Sequence, residues 1–181
     1  MKGTPNFSEW YEEWQDKLKG NKLARFFQEC RTDSQHIGFN QIMNGKILDG
    51  QMLLFFGEAD HGRHKYIPED DVLTACKKHM KTMCEIIDSA YETFGLEIDP
   101  DQLYTPEGIQ EKSLSIEDIE ESLGLPRGWT KIPWDGDDLD LVRLKLLRQN
   151  IPSSQVKPIL KKHLMRELTY PSTPFDYSAS D

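Results

Sequence analysis

The stretch Leu23-Ala24-Arg25-Phe26-Phe27-Gln28-Glu29-Cys30-Arg31-Thr32-Asp33-Ser34-Gln35-His36-Ile37-Gly38 decides the fold. Leu23, Phe26, Phe27, Cys30 and Ile37 recur at steps of three, four and seven, which is the period of one buried helical face. Gly38 supplies the stop. Upstream, Phe7, Trp10, Tyr11, Trp14 and Leu18 repeat the same period, so a first helix is expected over 7–18, with Asn6 as its cap and Glu9 reaching back. Lys19-Gly20 closes that helix and Asn21 caps the next. Two antiparallel helices joined by a very short loop follow from this spacing.

Downstream the period changes. Between Gln41 and Tyr66, Asn44-Gly45 and Asp49-Gly50 give turn signals around short apolar runs, which reads as a β-hairpin or a small three-stranded insertion. A long helix is expected from Pro68 to Phe94 on the stripe Val72, Cys76, Met80, Met83, Cys84, Ile87, Tyr91 and Phe94, with Gly95 as its stop. Residues 95–134 carry Pro100, Pro106, Pro126 and Pro133, a short acidic helix near 115–123 and the aromatics Tyr104, Trp129 and Trp134. They read as an irregular connector over the core. Two last helices, 137–149 and 154–168, flank Asn150-Ile151-Pro152-Ser153. The fold class is therefore mainly α with a minor β part (α+β): a helical bundle with a β-hairpin insertion and a C-terminal two-helix hairpin. The domain expected is 1–134, with the hairpin at 41–66 and the connector at 95–134. A basic module, 135–170, packs on it, and the tail 171–181 is too poor in apolar residues to fold alone.

Composition sets the class. A chain of 181 residues buries a sizeable core without staples, and the three cysteines, Cys30, Cys76 and Cys84, sit among apolar neighbours. No signal peptide or bilayer-length apolar run is read from the sequence, so a cytoplasmic location is the expectation, with no membrane, metal or small-molecule cofactor. The net charge of -9 is uneven: residues 141–170 carry seven Lys/Arg against one Glu, whereas residues 1–140 net -13. That basic segment suits RNA or an acidic partner, or it docks on the acidic body of its own chain.

Chemistry concentrates at Arg31 and His36. A histidine shuttles protons near neutrality, and an arginine grips phosphate oxygens through two donors, so the pair suits attack of a ribose 2'-hydroxyl on the adjacent phosphate without a metal. Glu29, Thr32 and Asp33 supply hydrogen-bonding support, either acid being placed to orient His36. Five residues of helix turn the chain by about 140° beyond one revolution, so the two side chains converge poorly within one straight helix.

Arg31, Thr32 and His36, with the aromatic first helix and amphipathic lead-in, resemble the HEPN superfamily over roughly residues 6–94. Thr32 stands where that family often has Asn. The resemblance implies a helical bundle working as a symmetric homodimer, whose facing helices form one composite cleft. It also implies metal-independent endoribonuclease chemistry in a toxin, defence or stress setting, with Arg31 as phosphate clamp and His36 as acid/base. The alternative within the same resemblance is a non-catalytic interaction or dimerisation protein with a protein partner.

Other residues bear on binding. Glu58, Asp60, His61 and His64 raise the question of a metal, but sequence-distant cysteines and a polar rim favour none. His61, Arg63 and His64 instead suit phosphate contact at the edge of the site. His79, beside Lys77, Lys78 and Lys81, reads as part of an exposed basic stripe, and Cys76 and Cys84 as core. In the last helix Val156, Ile159, Leu160, His163, Leu164 and Leu168 are expected to face inward. Lys157, Lys161, Lys162 and Arg166 are then left outside, the three lysines as substrate contacts, which keeps nucleic-acid binding by the basic helices as a third reading.

Overall fold

The computed structural model describes residues 4–36, 41–57, 64–133, 135–136, 138–149, 151 and 154–170. Expectations that fall on Ile37, Gly38, Glu58, Asp60, His61, Arg63, Trp134, Asp137, Asn150, Pro152, Ser153 or the tail 171–181 lie outside the described residues. The described part is mainly helical with one two-stranded hairpin, an α+β arrangement. Its elements are α1 (Phe7–Gly20), α2 (Lys22–His36), β1 (Ile42–Leu48), β2 (Gln51–Phe56), α3 (Val72–Ile98), α4 (Pro100–Leu103), α5 (Pro106–Glu111), α6 (Ile116–Ser122), α7 (Leu139–Gln149) and α8 (Val156–Leu164). The chain forms two compact units, 1–86 and 87–181, with the division inside α3.

In the first unit the α1–α2 joint forms as its residues dictate. The Asn21 amide bonds back to Leu18 and Lys17 carbonyls, and the Asn21 side chain accepts from the Ala24 amide at 3.0 Å, capping α2. Asn6 does not cap α1; it takes a left-handed φ of 63° and makes no side-chain cap bond. Phe26 is fully buried, meeting Phe56 edge-on at 4.9 Å and His64 at 5.6 Å, and Cys30 is buried one turn on. The hairpin resolves the two-or-three-strand question as two antiparallel strands. Asp49 and Gly50 both take positive φ (49° and 79°), as a two-residue turn between twisted strands requires. Asn44-Gly45 is no turn; it lies inside β1, at a register shift between Ile42 and Asn44. Gln41 anchors the hairpin, its side chain donating to the Cys30 carbonyl at 3.2 Å and its carbonyl accepting from Gly57.

The long helix is displaced from its expected limits. Asp71 caps it, one carboxylate oxygen accepting from the Leu73 and Thr74 amides, so it starts at Val72 rather than Pro68. It also runs past Gly95 to Ile98, with a break from helical geometry at Phe94 (φ -123°, ψ 22°). Gly95 gives room rather than a stop: a Cβ there would displace the amide end of the Gln102 side chain, which donates to the Tyr91 carbonyl.

In the second unit the stretch expected as a connector builds the core. Pro100 and Pro106 open short helices behind the caps Asp99 and Thr105, and Ser115 with Asp118 forms a reciprocal capping box on α6. These helices deliver Ile109, Ile116 and Ile119 to Leu144 and Leu147 of α7, with Tyr104, Leu123 and Leu125 against them. Trp129 stays half exposed.

Most of the basic segment is paired within this unit. Arg143 donates to Glu117 at 2.7 Å and to Thr130, beside the fully buried Glu120. Arg148 pairs with Asp101, and Lys157 lies 2.6 Å from Asp101 and 2.7 Å from Asp99. Arg166 pairs with Asp88, which also accepts from the Tyr170 hydroxyl at 2.7 Å. The α8 face is accordingly rotated from the expected one: Lys157 and Leu160 are buried and Ile159 is half exposed. Lys157 is thus a structural counter-ion and not a substrate contact, and Lys161 pairs with Glu167 at 2.6 Å. Lys162 remains exposed. No described helix is long and apolar enough to cross a membrane.

Candidate functional site

Helix α2 presents two different polar surfaces. Arg31 and His36 are exposed, and among the described residues neither side chain makes a hydrogen bond or ion pair. Arg25, Glu29 and Asp33 follow one another at four-residue steps along another side, with Gln28 and Thr32 in the adjacent row. This second surface is concave. Arg25, Gln28, Glu29, Thr32, Asp33 and His64 line a cleft of about 400 Å³.

His64 reaches the cleft from the segment after β2. Its side chain is only 1% exposed, with Nε2 3.0 Å from Asp33 Oδ2 and Nδ1 3.6 Å from Glu29 Oε2. These separations are within ion-pair reach, yet neither ring nitrogen has an aligned hydrogen bond among the described residues, and neither does Glu29 Oε2. Arg25 is held from behind, donating to the Tyr66 hydroxyl at 3.1 Å with its guanidinium 4.7 Å from that ring's centre. Thr32 donates to the Gln28 carbonyl at 3.1 Å.

No family model, curated protein or solved structure matches this chain. The cleft is therefore judged on its own electrostatics. Two carboxylates face one guanidinium and one imidazole, and Cys30 on the same helix responds to that balance. Its thiol is pushed up to about 12, first by burial and then by the negative charge of Asp33 and Glu29.

Glu29 and Asp33, expected to serve His36, sit against His64 instead, and Thr32 lines the cleft. His64 is enclosed rather than on a rim. Its sequence partners of expectation, His61 and Arg63, lie outside the described residues. His79 is not part of an exposed stripe: it stacks on Phe27 at 4.4 Å, and burial lowers its pKa, leaving a neutral ring. Cys76 is exposed, whereas Cys84 is buried as expected. Among the described residues no group of three His, Cys, Asp or Glu is arranged to hold a metal. The four-residue rhythm of Arg25, Glu29 and Asp33 was available to sequence reasoning; the arrival of His64 had no local signal.

Proposed function

We propose that this chain is a HEPN-like helical interaction protein that self-associates through its β1–β2 arm. The observation that carries the reading is the arm's uncovered apolar face. Alternate strand residues point the same way, so Met52, Leu54 and Phe56 share a face with Ile47, which pairs with Met52. Phe56 packs on Phe26 and Phe27 at the base. Beyond it the same face runs into solvent, with Leu54 42%, Met52 70% and Ile47 74% exposed. A two-stranded hairpin is marginal alone and carries free edges, and a second copy related by a two-fold axis satisfies both needs with one surface. Sedimentation should give a dimer for the wild type. The double variant Ile47→Lys, Met52→Lys should weaken association by a factor on the order of a hundred while leaving the circular dichroism unchanged. A wild type that stays monomeric across the micromolar range overturns the reading.

The ribonuclease reading stands second, favoured by the exposure of Arg31 and His36 without partners of their own. Their divergence on α2 makes that activity depend on a second copy. RNA cleavage in the presence of chelator, compared between wild type and His36→Ala, decides it: activity lost only in the variant supports the enzyme.

A further inference from the structure

We infer that an exposed seam on α3 docks an acidic amphipathic helix of a partner protein. The seam lies within the first unit, shares no residue with the β1–β2 arm and does not depend on self-association.

Leu73, Cys76, Met80 and Met83 follow one another along α3 at steps of three, four and three. That is the a/d rhythm of a helix that lies along another helix. A seam of this kind that is satisfied by its own fold is the least accessible part of its helix. Here Leu73 is 63% and Met80 45% exposed, Cys76 is exposed and Met83 half-buried. The same helix is enclosed through other residues: Ala75 and Cys84 are buried, and His79 stacks on Phe27. At 100° per residue the four seam positions span an arc of about 80°. An arc that narrow suits one facing helix, whereas a helix resting on a bilayer presents a wide apolar face. The chain's net charge of -9 also opposes an anionic membrane.

Charge says which helix. Lys77 and Lys81 run beside one edge of the seam, one turn apart, and both are exposed without an ion pair among the described residues. Lys78, farther round the helix, is already paired with Asp70 at 2.6 Å. Cations beside an a/d seam favour a partner whose own flanking positions carry carboxylates. They also disfavour the nearest alternative occupant, the α3 of a second copy. Two such helices packed antiparallel set one lysine edge against the other, and like charges repel there. Packed parallel, each lysine edge meets the side of the other helix that carries His79 and is already covered by Phe27.

The probe is a three-heptad peptide with leucine at a and d and glutamate at e and g; its control has lysine in place of each glutamate. Each is titrated onto the full chain. Binding is read by fluorescence anisotropy of the labelled peptide and by the rate at which a thiol reagent modifies Cys76, inside the seam. We expect saturable binding of the glutamate peptide, Cys76 modification slowed by roughly tenfold at saturation, and no saturable binding of the lysine peptide. Leu73→Gln with Met80→Gln should weaken the midpoint by about tenfold or more, and Lys77→Glu with Lys81→Glu should turn the preference toward the lysine peptide. Ile47→Lys with Met52→Lys should leave the midpoint unchanged. Should a seam variant fail to fold, the two peptides and the Cys76 rate on the wild type decide alone. The proposal is overturned by no saturable binding, by equal binding of both peptides, or by binding that leaves the Cys76 rate unchanged. Midpoints that neither seam pair moves, or binding lost in the arm variant, also overturn it. Equal protection of Cys76 by phosphatidylglycerol vesicles overturns it in favour of a lipid surface.

Discussion

In the second unit Arg148, Lys157, Asp99 and Asp101 are enclosed together, two positive groups against two negative; in the first, His64 is equally enclosed between Glu29 and Asp33. The first set is nearly closed. Asp101 takes Arg148 and Lys157, and Asp99 takes the Asp101 amide on Oδ1, leaving only its Oδ2 without an aligned bond, 2.7 Å from the Lys157 ammonium. The His64 set is open, with contact distances but no aligned bonds and a cleft in front. Burying a charge is costly unless a partner and good geometry come with it, so the closed set is fixed by structure. The other leaves both ring nitrogens of His64 without an aligned bond among the described residues.

The largest effect tests that contrast directly. Asp101→Ala takes from the buried Arg148 its carboxylate and leaves Lys157 with Asp99 alone, and should cost about 3–5 kcal/mol in chemical denaturation, enough to unfold much of the second unit. The matched change Asp33→Ala removes an acid from an unaligned contact and should cost about 1 kcal/mol or less. Equal losses would erase the distinction and make His64 another structural counter-ion.

A smaller effect follows from acid. Burial pushes the Glu120 carboxyl up, but donation from the Thr130 hydroxyl and amide, the Gly128 amide and Arg143 outweighs it and holds the group at about 2, against an ordinary 4.5. A depressed folded value means that the stabilisation is fully present above about pH 4.5 and drains away as pH falls through 2. Stability of the second unit should therefore be level from neutrality to about pH 5 and then fall. Glu120→Gln should lower the plateau and flatten the acid limb; an unchanged limb would assign the loss to other carboxylates.

How much of this contrast was visible beforehand depends on distance along the chain. The α1–α2 pair, the Asp49-Gly50 turn and the short acidic helix after Ser115 are local, each set by residues within a few positions, and they form as the sequence indicates. The residues 95–134 misled because proline-rich punctuation is common to connectors and to chains of short capped helices. Only the partners Leu144 and Leu147 on α7 tell the two apart. The α8 face misled for a related reason: a lysine is read as solvent-facing unless a buried carboxylate awaits it, and Asp101 lies 56 positions away. His64 is the same case in the first unit. Its acids are legible as a helical row, but nothing near His64 in sequence announces that the hairpin returns it to them.

The smallest effect leaves the fold untouched and reads the cleft's field through its neighbour. None of Cys30, Cys76 and Cys84 is in a disulfide, and only Cys76 is exposed. The thiolate is the reacting form, so access and ionisation both count. Cys30 is disfavoured twice, being buried and held up to about 12 with Asp33 and Glu29 as contributors. A thiol reagent at neutral pH should thus modify Cys76 quickly, and Cys30 and Cys84 only on unfolding, as peptide mass mapping would record. In the double variant Glu29→Gln, Asp33→Asn the charge contribution goes while burial stays. Cys30 labelling under native conditions should then rise by only a few-fold, because burial is the larger cause. A jump to the rate of Cys76 would mean that the two carboxylates, and not packing beside Phe26, keep that side of α2 closed.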